Sequence, residues 1–399
     1  HKVSLLPDEF AQMIHGIRRV EESMGSSGER SISQGEMMNR EVLAKSLVAS
    51  CDVPAGTEIT EAMVGIQSPG QGLQPNRLAD LIGKTLPVSK AAGDFFFPSD
   101  LETPAATPRA YRFQHRFGLP VRYHDIESFA ASSNLDLVEI HLSYKDLEIN
   151  LDEVLPTKQP IGLVVHAPEL FAGDHTLDLC SADGDYRRHS IAELQRVVDI
   201  SRDLRSRFDC PDPVLLVTNV GGFSEHHHLE RADLQPLRKR LIESLQQINT
   251  SDEVEIIPQT MPPFPWHFGG QRYHNLFVDT DFIEEFCKGT GMRVCLDASH
   301  SKLACTHLNA SFSGFLRAIL PFTAHLHLAD AKDVDGEGLQ IHDGEIDWVQ
   351  LFALMGQLAP EASFIPEIWQ GHKNNGEGAW LALERLEGCV DLSQQRQVA

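Results

Sequence analysis

The sequence predicts an α/β protein in which a (β/α)8 TIM barrel follows a small β-rich domain and an N-terminal helix. Two observations predict the barrel. Between residues 111 and 392, short apolar runs of strand character alternate with helical patterns, as in a parallel barrel. Several of these runs also end in Asp, His or Glu, and the ends of successive barrel strands converge on one face.

The first element in chain order is a helix predicted over residues 7–24. Pro7 suits the first helical position, acidic residues follow it, and Gly25 can end the helix. Its apolar residues recur at helical spacing and form one stripe: Phe10, Met13, Ile14, Ile17 and Val20. The Ser-, Gly- and charge-rich residues 25–36 that follow cannot cover this stripe. We therefore expect it to pack against another domain or subunit.

Residues 41–103 are predicted to form a compact unit of short strands and turns. Strand-like pieces over residues 41–49, 57–60 and 63–67 alternate with Gly- and Pro-containing turns such as the one at Pro69-Gly70. A Pro- and Ala-rich linker over residues 104–110 then separates this unit from the barrel. We expect the two parts to touch only lightly, through this linker.

The barrel region contains eight candidate strands with helical patterns between them. The candidate strands cover residues 119–123, 135–142, 161–166, 214–219, 254–258, 292–297, 324–329 and 363–367. The clearest helical patterns cover residues 191–208, 234–248, 281–288 and 348–358. This alternation is typical of eight βα units.

Composition excludes some classes of function. The chain of 399 residues carries 57 acidic against 34 basic residues, a net charge of -23, which would repel nucleic acid. No apolar run approaches the roughly 20 residues needed to cross a bilayer, so no membrane association is expected. The seven cysteines are scattered and form no C-x-x-C pair, which favours reduced thiols and a cytoplasmic location.

Metal-competent residues end the last three candidate strands. Asp297 and His300 follow the sixth strand, and mixed oxygen and nitrogen donors suit a divalent cation such as Mn, Zn or Co. Asp297 could alternatively cap the next helix. In the seventh strand, His325 and His327 face the same side because side chains alternate along a strand. Glu367 ends the eighth strand and is the best candidate for a general base, unless it only forms an ion pair.

Residues 1–103 resemble the C-terminal part of sialic acid synthases. Residues 1–10 resemble the last helix region of that family's catalytic barrel, and Lys45–Ala49, Pro54–Gly56, Pro69–Gly72 and Leu81–Lys84 resemble its antifreeze-like (SAF, or β-clip) domain. The resemblance implies that residues 1–40 are the end of a synthase barrel that this chain lacks. It also implies a homo-oligomer assembled through this part. The family's arginine before the Pro-Gly turn is replaced by Gln67-Ser68.

Residues 111–392 resemble the xylose-isomerase-like, or AP-endonuclease-family-2, barrels. The matching motifs are Val165–Pro168, Leu296–His300, His325–Leu328 and Pro366-Glu367. The family's metal ligands are commonly Glu, Asp, His and Glu. The resemblance therefore implies one divalent ion (Mn, Zn, Co or Mg) at Gln259, Asp297, His327 and Glu367. Gln259 departs from the family's glutamate: its carbonyl can ligate a cation, but it cannot take a proton.

Together these features predict a metal-dependent sugar or sugar phosphate isomerase or epimerase in nonulosonic acid biosynthesis. Glu367 and His300 are the predicted catalytic residues. Substrate contacts are predicted for residues at or after strand ends: His166, Glu169, Trp266, Lys332 and His372. Two alternatives remain open, a metal-dependent hydrolase or phosphoesterase, and a non-catalytic barrel accessory to a sialic acid synthase. The second is favoured if Gln259 disables the site.

Overall fold

The computed structural model describes residues 4–25, 32, 34–102, 106–267 and 270–398. Only the backbone is described for residues 22, 34, 266, 267, 270, 271 and 393–398. None of the helices in these ranges is both long enough and apolar enough to cross a membrane.

The barrel is closed by eight parallel strands within the described residues. In chain order they are Gly118–Val121, Leu137–His141, Gly162–His166, Val214–Thr218, Val254–Pro258, Val294–Asp297, Thr323–Leu328 and Ser363–Pro366. The first five form one sheet and the last three another. Parallel bridges from Gln259 to Cys295 and from Phe117 to Phe364 join the two sheets at both edges. Strand order therefore follows chain order around a closed barrel, as the sequence predicted.

Helices surround the barrel and connect its strands. They are Ile126–Ser132, Leu151–Val154, Gly184–Ser206, Arg231–Leu245, Thr280–Thr290, Ala298–His307, Phe312–Ile319, Trp348–Leu358 and Lys373–Val398. Side-chain caps start several of them: Asp183 accepts from two backbone N–H groups and so begins its helix seven residues before the predicted start. Gly291 ends the helix Thr280–Thr290 in the left-handed conformation, with φ of 75°.

Side chains of the strands fill two separate cores. Outward-facing residues join the helices in the main core, whereas a smaller apolar set lies inside the barrel. That set comprises Leu137, Val164, Val217, Ile257, Cys295, Ala324 and Ile365. Because side chains alternate along a strand, Glu139 and His141 share the face of Leu137, and Glu367 shares the face of Ile365. The barrel interior therefore changes from apolar to polar toward the carboxyl ends of the strands.

The SAF-like unit has its own small core. Strands Ser46–Ala49 and Val64–Gln67 pair antiparallel, and single bridges at Val48, Val53 and Glu58 add further chain segments. Eight buried apolar residues pack between them: Leu47, Ala49, Val53, Ile59, Leu73, Leu81, Leu86 and Phe96. A buried ion pair, 3.0 Å between Lys90 Nζ and Asp100 Oδ2, closes the end of the unit.

The N-terminal segment contains two helices. The predicted first helix spans Pro7–Ser23, and its apolar stripe is exposed, with Phe10 53% and Val20 59% accessible. A second helix, Gln34–Leu43, corrects the prediction of a strand beginning at residue 41; only Ser46–Ala49 is extended there. Glu36 pairs with Arg40 one helical turn later, a local interaction that favours helix over strand. Packing of the exposed stripe on another domain or subunit stays a prediction.

Contact between the SAF-like unit and the barrel runs through the segment that follows the last barrel strand. Lys373 Nζ lies 2.7 Å from Glu41 Oε1, and both side chains are largely buried. Ser99 Oγ donates to Glu377 Oε2 at 2.9 Å and accepts from Asn374 Nδ2 at 2.9 Å. The linker is therefore not the only connection, contrary to the expectation from sequence. These polar contacts hold the unit beside the residues that directly follow Glu367.

Replacing Lys373 with alanine is expected to loosen this contact. Loss of one partly buried ion pair should lower local stability by about 1 kcal/mol, or about fivefold in hydrogen-exchange protection of residues 369–377. Hydrogen exchange measured by mass spectrometry checks this. Lys288→Ala, which removes an exposed helical pair with Glu284, is the matched control. Equal protection in the two variants would contradict the prediction.

Candidate active site

Four side chains from the last four barrel strands meet at the carboxyl end of the barrel. Gln259 Nε2 lies 3.2 Å from Asp297 Oδ2 and 3.1 Å from His327 Nδ1. Glu367 Oε2 lies 2.6 Å from the same His327 nitrogen, which is 3.8 Å from Asp297 Oδ2. We call Gln259, Asp297, His327 and Glu367 the donor cluster. The structure thus brings together the residues whose convergence the sequence predicted.

The donor cluster has the chemistry of a divalent cation site. It offers two carboxylates and one imidazole nitrogen, the amide of Gln259 turns Nε2 toward them and Oε1 toward His166, and three of its members are almost fully buried. Burial raises the pKa of Asp297 to about 6, the charge of Glu367 adds to this, and His300 and His327 oppose it. The charges of Asp297 and Glu367 oppose one another, and a cation between them would relieve this repulsion. His327 and Glu367, with the neighbouring His166, have ligand atoms within 4.8 Å of one another and fit a metal ion.

The two carboxylate oxygens of Asp297 make different contacts. Its Oδ1 accepts the backbone N–H of His300 at 2.8 Å and caps the helix Ala298–His307. Its Oδ2 faces Gln259 in the donor cluster. The capping role and the metal role, which the sequence presented as alternatives, are therefore compatible because they use different oxygens.

Two stacked histidines form the opposite wall of the site. The rings of His141 and His166 lie 4.7 Å apart, and His166 is 5.6 Å from the His327 ring. His166 Nδ1 contacts the carbonyl of Ala167 at 2.9 Å, which turns Nε2 toward Gln259 Oε1 at 3.4 Å. Burial, and the neighbouring His141, lower the pKa of His166 to about 4, so the ring is neutral. His166 was predicted from sequence; His141, 3.9 Å from Glu367, was not.

Glu139 lies beneath the donor cluster at the centre of the barrel and was also missed from sequence. It is fully buried, and its carboxylate accepts a hydrogen bond from His327 Nε2 at 3.2 Å. Burial alone would raise its pKa, but the surrounding imidazoles of His327, His141 and His325 hold the pKa well below its usual range. The alternation of polar residues at positions 139 and 141, ending a strand, was a signal that could have identified both.

His300, the second predicted catalytic residue, borders the donor cluster. Its Nδ1 contacts the carbonyl of Thr260 at 2.9 Å, and its Nε2 contacts Glu337 Oε1 at 3.1 Å. Burial disfavours its charge, but Asp297 and Glu337 together raise its pKa to about 10. His300 is therefore a cation at neutral pH and can donate, not accept, a proton. Glu337, on the segment Gly336–Leu339, was not predicted from sequence.

Comparison with known proteins identifies the barrel. The profile of the xylose isomerase-like TIM barrel family matches residues 128–387. This chain belongs to that family. A solved D-tagatose 3-epimerase-like protein shares the fold with a TM-score of 0.51 at 18% sequence identity, covering 71% of this chain and all of the other. The xylose-isomerase-like barrel predicted from sequence is thus confirmed.

The region before the barrel matches a second family. The SAF domain profile covers residues 44–102. Over this region the chain is 32% identical to N-acetylneuraminate-9-phosphate synthase of Mus musculus, covering 26% of this chain and 29% of the synthase. It is 35% identical to a pseudaminic acid synthase of Campylobacter jejuni, covering 25% and 27%. The chain thus spans less than a third of the length of these relatives. The predicted resemblance to sialic acid synthases is confirmed.

The remaining predicted substrate residues of this xylose isomerase-like barrel are spread more widely. Glu169 is exposed at the rim. Desolvation by the surrounding protein and the charge of Glu337 raise the pKa of its carboxyl group. Lys332 is exposed, and with Lys302 it lowers the pKa of Glu345. His372 is exposed on the loop that contacts the SAF domain. The side chain of Trp266 lies outside the described residues. Among the described residues, therefore, Lys332 and His372 make no contact with the donor cluster.

Proposed function

We propose that the barrel is a metal-dependent sugar isomerase or epimerase whose donor set favours isomerisation. The observation that carries this proposal is the position of His327 Nδ1 at the carboxyl end of the barrel, 2.6 Å from Glu367 and 3.8 Å from Asp297. A divalent cation bound there would polarise a sugar carbonyl and its neighbouring hydroxyl. The SAF domain supports a carbohydrate substrate, since its relatives are synthases of acidic sugars.

Glu367 is placed to move the proton on carbon. One of its oxygens contacts His327 in the donor cluster, while the other faces His141 at 3.9 Å. His327 and His141 keep its pKa below the usual range despite burial, so the carboxylate is ionised and able to accept. In the proposed reaction it takes a proton from the carbon that bears the hydroxyl and returns it to the former carbonyl carbon. The hydroxyl proton moves to the carbonyl oxygen, and the His300–Glu337 pair at the border of the donor cluster is the proposed relay for it.

Gln259 decides between isomerisation and epimerisation. Inversion of one carbon requires proton removal on one face and proton delivery on the other, and hence two groups that exchange protons. An amide at position 259 cannot do this. Isomerisation needs only one base because the proton returns on the same face. We therefore propose aldose–ketose isomerisation as the main reaction.

The charges around the mouth favour an uncharged sugar over a sugar phosphate. Glu169 and Glu337 add to the acidic residues of the donor cluster, and they act on one another across the cavity. Among the described residues, no Lys or Arg side chain contacts the cluster. A phosphate dianion would meet repulsion here without a matching cation.

Solvent-deuterium incorporation tests the proposal. The purified chain, loaded with Mn²⁺ or Co²⁺, is incubated in D2O with unphosphorylated aldoses and ketoses and with their phosphates. Carbon-bound deuterium next to the carbonyl, together with the aldose–ketose partner as product, supports isomerisation of a neutral sugar. Phosphoester cleavage without exchange would instead support the phosphoesterase alternative.

Replacing Gln259 with glutamate is expected to add epimerisation to the reaction. A carboxylate at this position supplies a second group that exchanges protons and adds a charged ligand, so cation affinity should rise by about tenfold. Chiral analysis of the products and a chelator competition check both effects. Gln74→Glu, on the exposed surface of the SAF domain, makes the same chemical change elsewhere. Unchanged products and unchanged cation affinity would contradict the assigned role of Gln259.

A wider proposal concerns the pathway. The SAF domain and the barrel share one chain and a specific polar contact, so we propose that the barrel supplies or modifies a sugar for nonulosonic acid synthesis. A labelled product that is accepted by a sialic- or pseudaminic-type synthase would support this.

A further inference from the structure

One carboxylate at the centre of the barrel is surrounded by three imidazoles. Glu139 Oε1 lies 2.9 Å from His141 Nε2 and 3.1 Å from His327 Nε2. Its Oε2 lies 2.8 Å from His325 Nε2. Glu139, His325 and His327 have no solvent exposure. Among the described residues, Glu139 contacts no Lys or Arg. The interactions with these imidazoles therefore offset the free-energy cost of burying its carboxylate.

The contact with His327 determines which of its nitrogens faces the donor cluster. The carboxylate of Glu139 lies 3.2 Å from His327 Nε2 and is placed to accept the hydrogen of that nitrogen. His327 Nδ1 then faces Gln259 and Glu367 on the other side of the ring. A metal-binding histidine needs a free lone pair at the nitrogen that meets the cation, and the opposite N–H commonly donates to a carboxylate. Glu139 is placed to provide this arrangement.

Two further residues hold Glu139 in place. Ser363 Oγ lies 2.7 Å from His325 Nδ1 and can donate to it, which leaves the hydrogen of His325 on Nε2, toward Glu139. The chain of contacts from Ser363 through His325 to Glu139 thus orients the carboxylate from the side opposite the donor cluster.

We propose that Glu139 is a positioning residue that makes His327 present Nδ1 to the donor cluster and thereby sets the affinity of the cluster for a divalent cation. This inference rests on the proposed function, because it concerns the same metal site. It adds a residue on the second barrel strand to a site whose proposed ligands all come from the last four.

Two variants of Glu139 test the proposal. Glu139→Gln retains an oxygen that accepts from His327 Nε2, whereas Glu139→Leu retains no acceptor. Co²⁺ affinity, measured by chelator competition, is expected to fall about tenfold in the first and about 100-fold in the second. Ser244→Ala, which removes a fully buried hydroxyl that donates to the Leu179 carbonyl at 2.8 Å and lies outside these contacts, is the control and should change affinity less than about threefold.

Thermal unfolding of the metal-free proteins separates positioning from a merely structural role. Removing one partner of a buried charged contact usually destabilises a protein. We therefore expect Glu139→Leu to unfold at a lower temperature, and to lose more Co²⁺ affinity while still folded than its loss of stability accounts for. If affinity falls only in proportion to stability across the variants, Glu139 is structural and the proposal is overturned.

Nitrogen-15 NMR of the histidine side chains shows which ring nitrogens of His327 carry a hydrogen in the metal-free protein. The wild-type protein is expected to show a hydrogen-bonded, slowly exchanging Nε2–H on His327, retained in Glu139→Gln and lost or exposed to fast exchange in Glu139→Leu. A His327 without a hydrogen on Nε2 would overturn the proposal. Failure of the wild-type chain to bind Co²⁺ would instead refute the proposed metal-dependent function, and the NMR result would still decide the role of Glu139.

Discussion

Replacing Asp297 with alanine is expected to remove both the bound divalent cation and the activity of the barrel. Asp297 Oδ2 is one of the two carboxylate groups of the donor cluster, and the methyl group of alanine cannot replace it as a ligand. The affinity loss should exceed the roughly 10- to 100-fold typical of residues that only support a ligand. Elemental analysis after gel filtration, and deuterium exchange with the preferred sugar, measure the two losses.

The same substitution also removes a helix cap, which requires a control. Asp347 caps the helix Trp348–Leu358 by accepting the backbone N–H of Gln350 at 3.0 Å, just as Asp297 caps its own helix. Asp347→Ala should therefore cost a similar amount of stability, about 1 kcal/mol, without loss of metal. Equal metal content in both variants would show that Asp297 is only a cap.

Replacing Glu367 with glutamine is expected to stop proton transfer while keeping part of the metal binding. The amide oxygen can still ligate a cation, but the side chain can no longer accept a proton from carbon. Exchange should fall by roughly 10²- to 10⁴-fold, the usual contribution of a general base. Cation affinity should fall much less, so the variant loaded with excess metal should remain inactive.

Metal-saturated kinetics distinguish the two roles of Glu367. Exchange that returns to the wild-type rate at high metal concentration would show that Glu367 is a ligand alone. Glu345→Gln, which removes a carboxylate paired with Lys302 outside the donor cluster, is the matched control and should retain full activity.

Much of the fold follows from local patterns. Apolar runs of four to six residues, separated by capped amphipathic helices, bury both faces of their strands in a parallel sheet covered by helices, and eight such units in succession favour a closed barrel. Asp297 and Glu367 were predicted because each ends such a run, and strand ends in a barrel meet on one face. The convergence of strand ends can be predicted without knowing which side chains touch. The match to the xylose isomerase-like family confirms the predicted barrel fold.

Asp330 illustrates what residue type and position leave undecided. It follows the seventh strand in a stretch with metal-competent side chains, yet it accepts hydrogen bonds from the backbone of Ala331, His342 and Ile346 and from Trp348 Nε1. Its carboxylate organises the loop after the strand and is fully buried there. A carboxylate at a strand end can thus either accept hydrogen bonds from the backbone or face the candidate active site. The path of the following loop determines which of the two it does.

The amino-acid sequence by itself predicted the barrel and three charged or imidazole members of the donor cluster, because these depend on periodicity and on strand ends, and it indicated the SAF domain through its resemblance to sialic acid synthases. Only the tertiary structure revealed that Glu139 lies against His327, 188 residues away in the chain. It also placed Glu337 Oε1 3.1 Å from His300 Nε2, and it showed that Ser99 of the SAF domain contacts the segment after Glu367. The physical reason is that the charge and hydrogen-bonding state of a buried group depend on neighbours across the closed barrel, which no local pattern specifies.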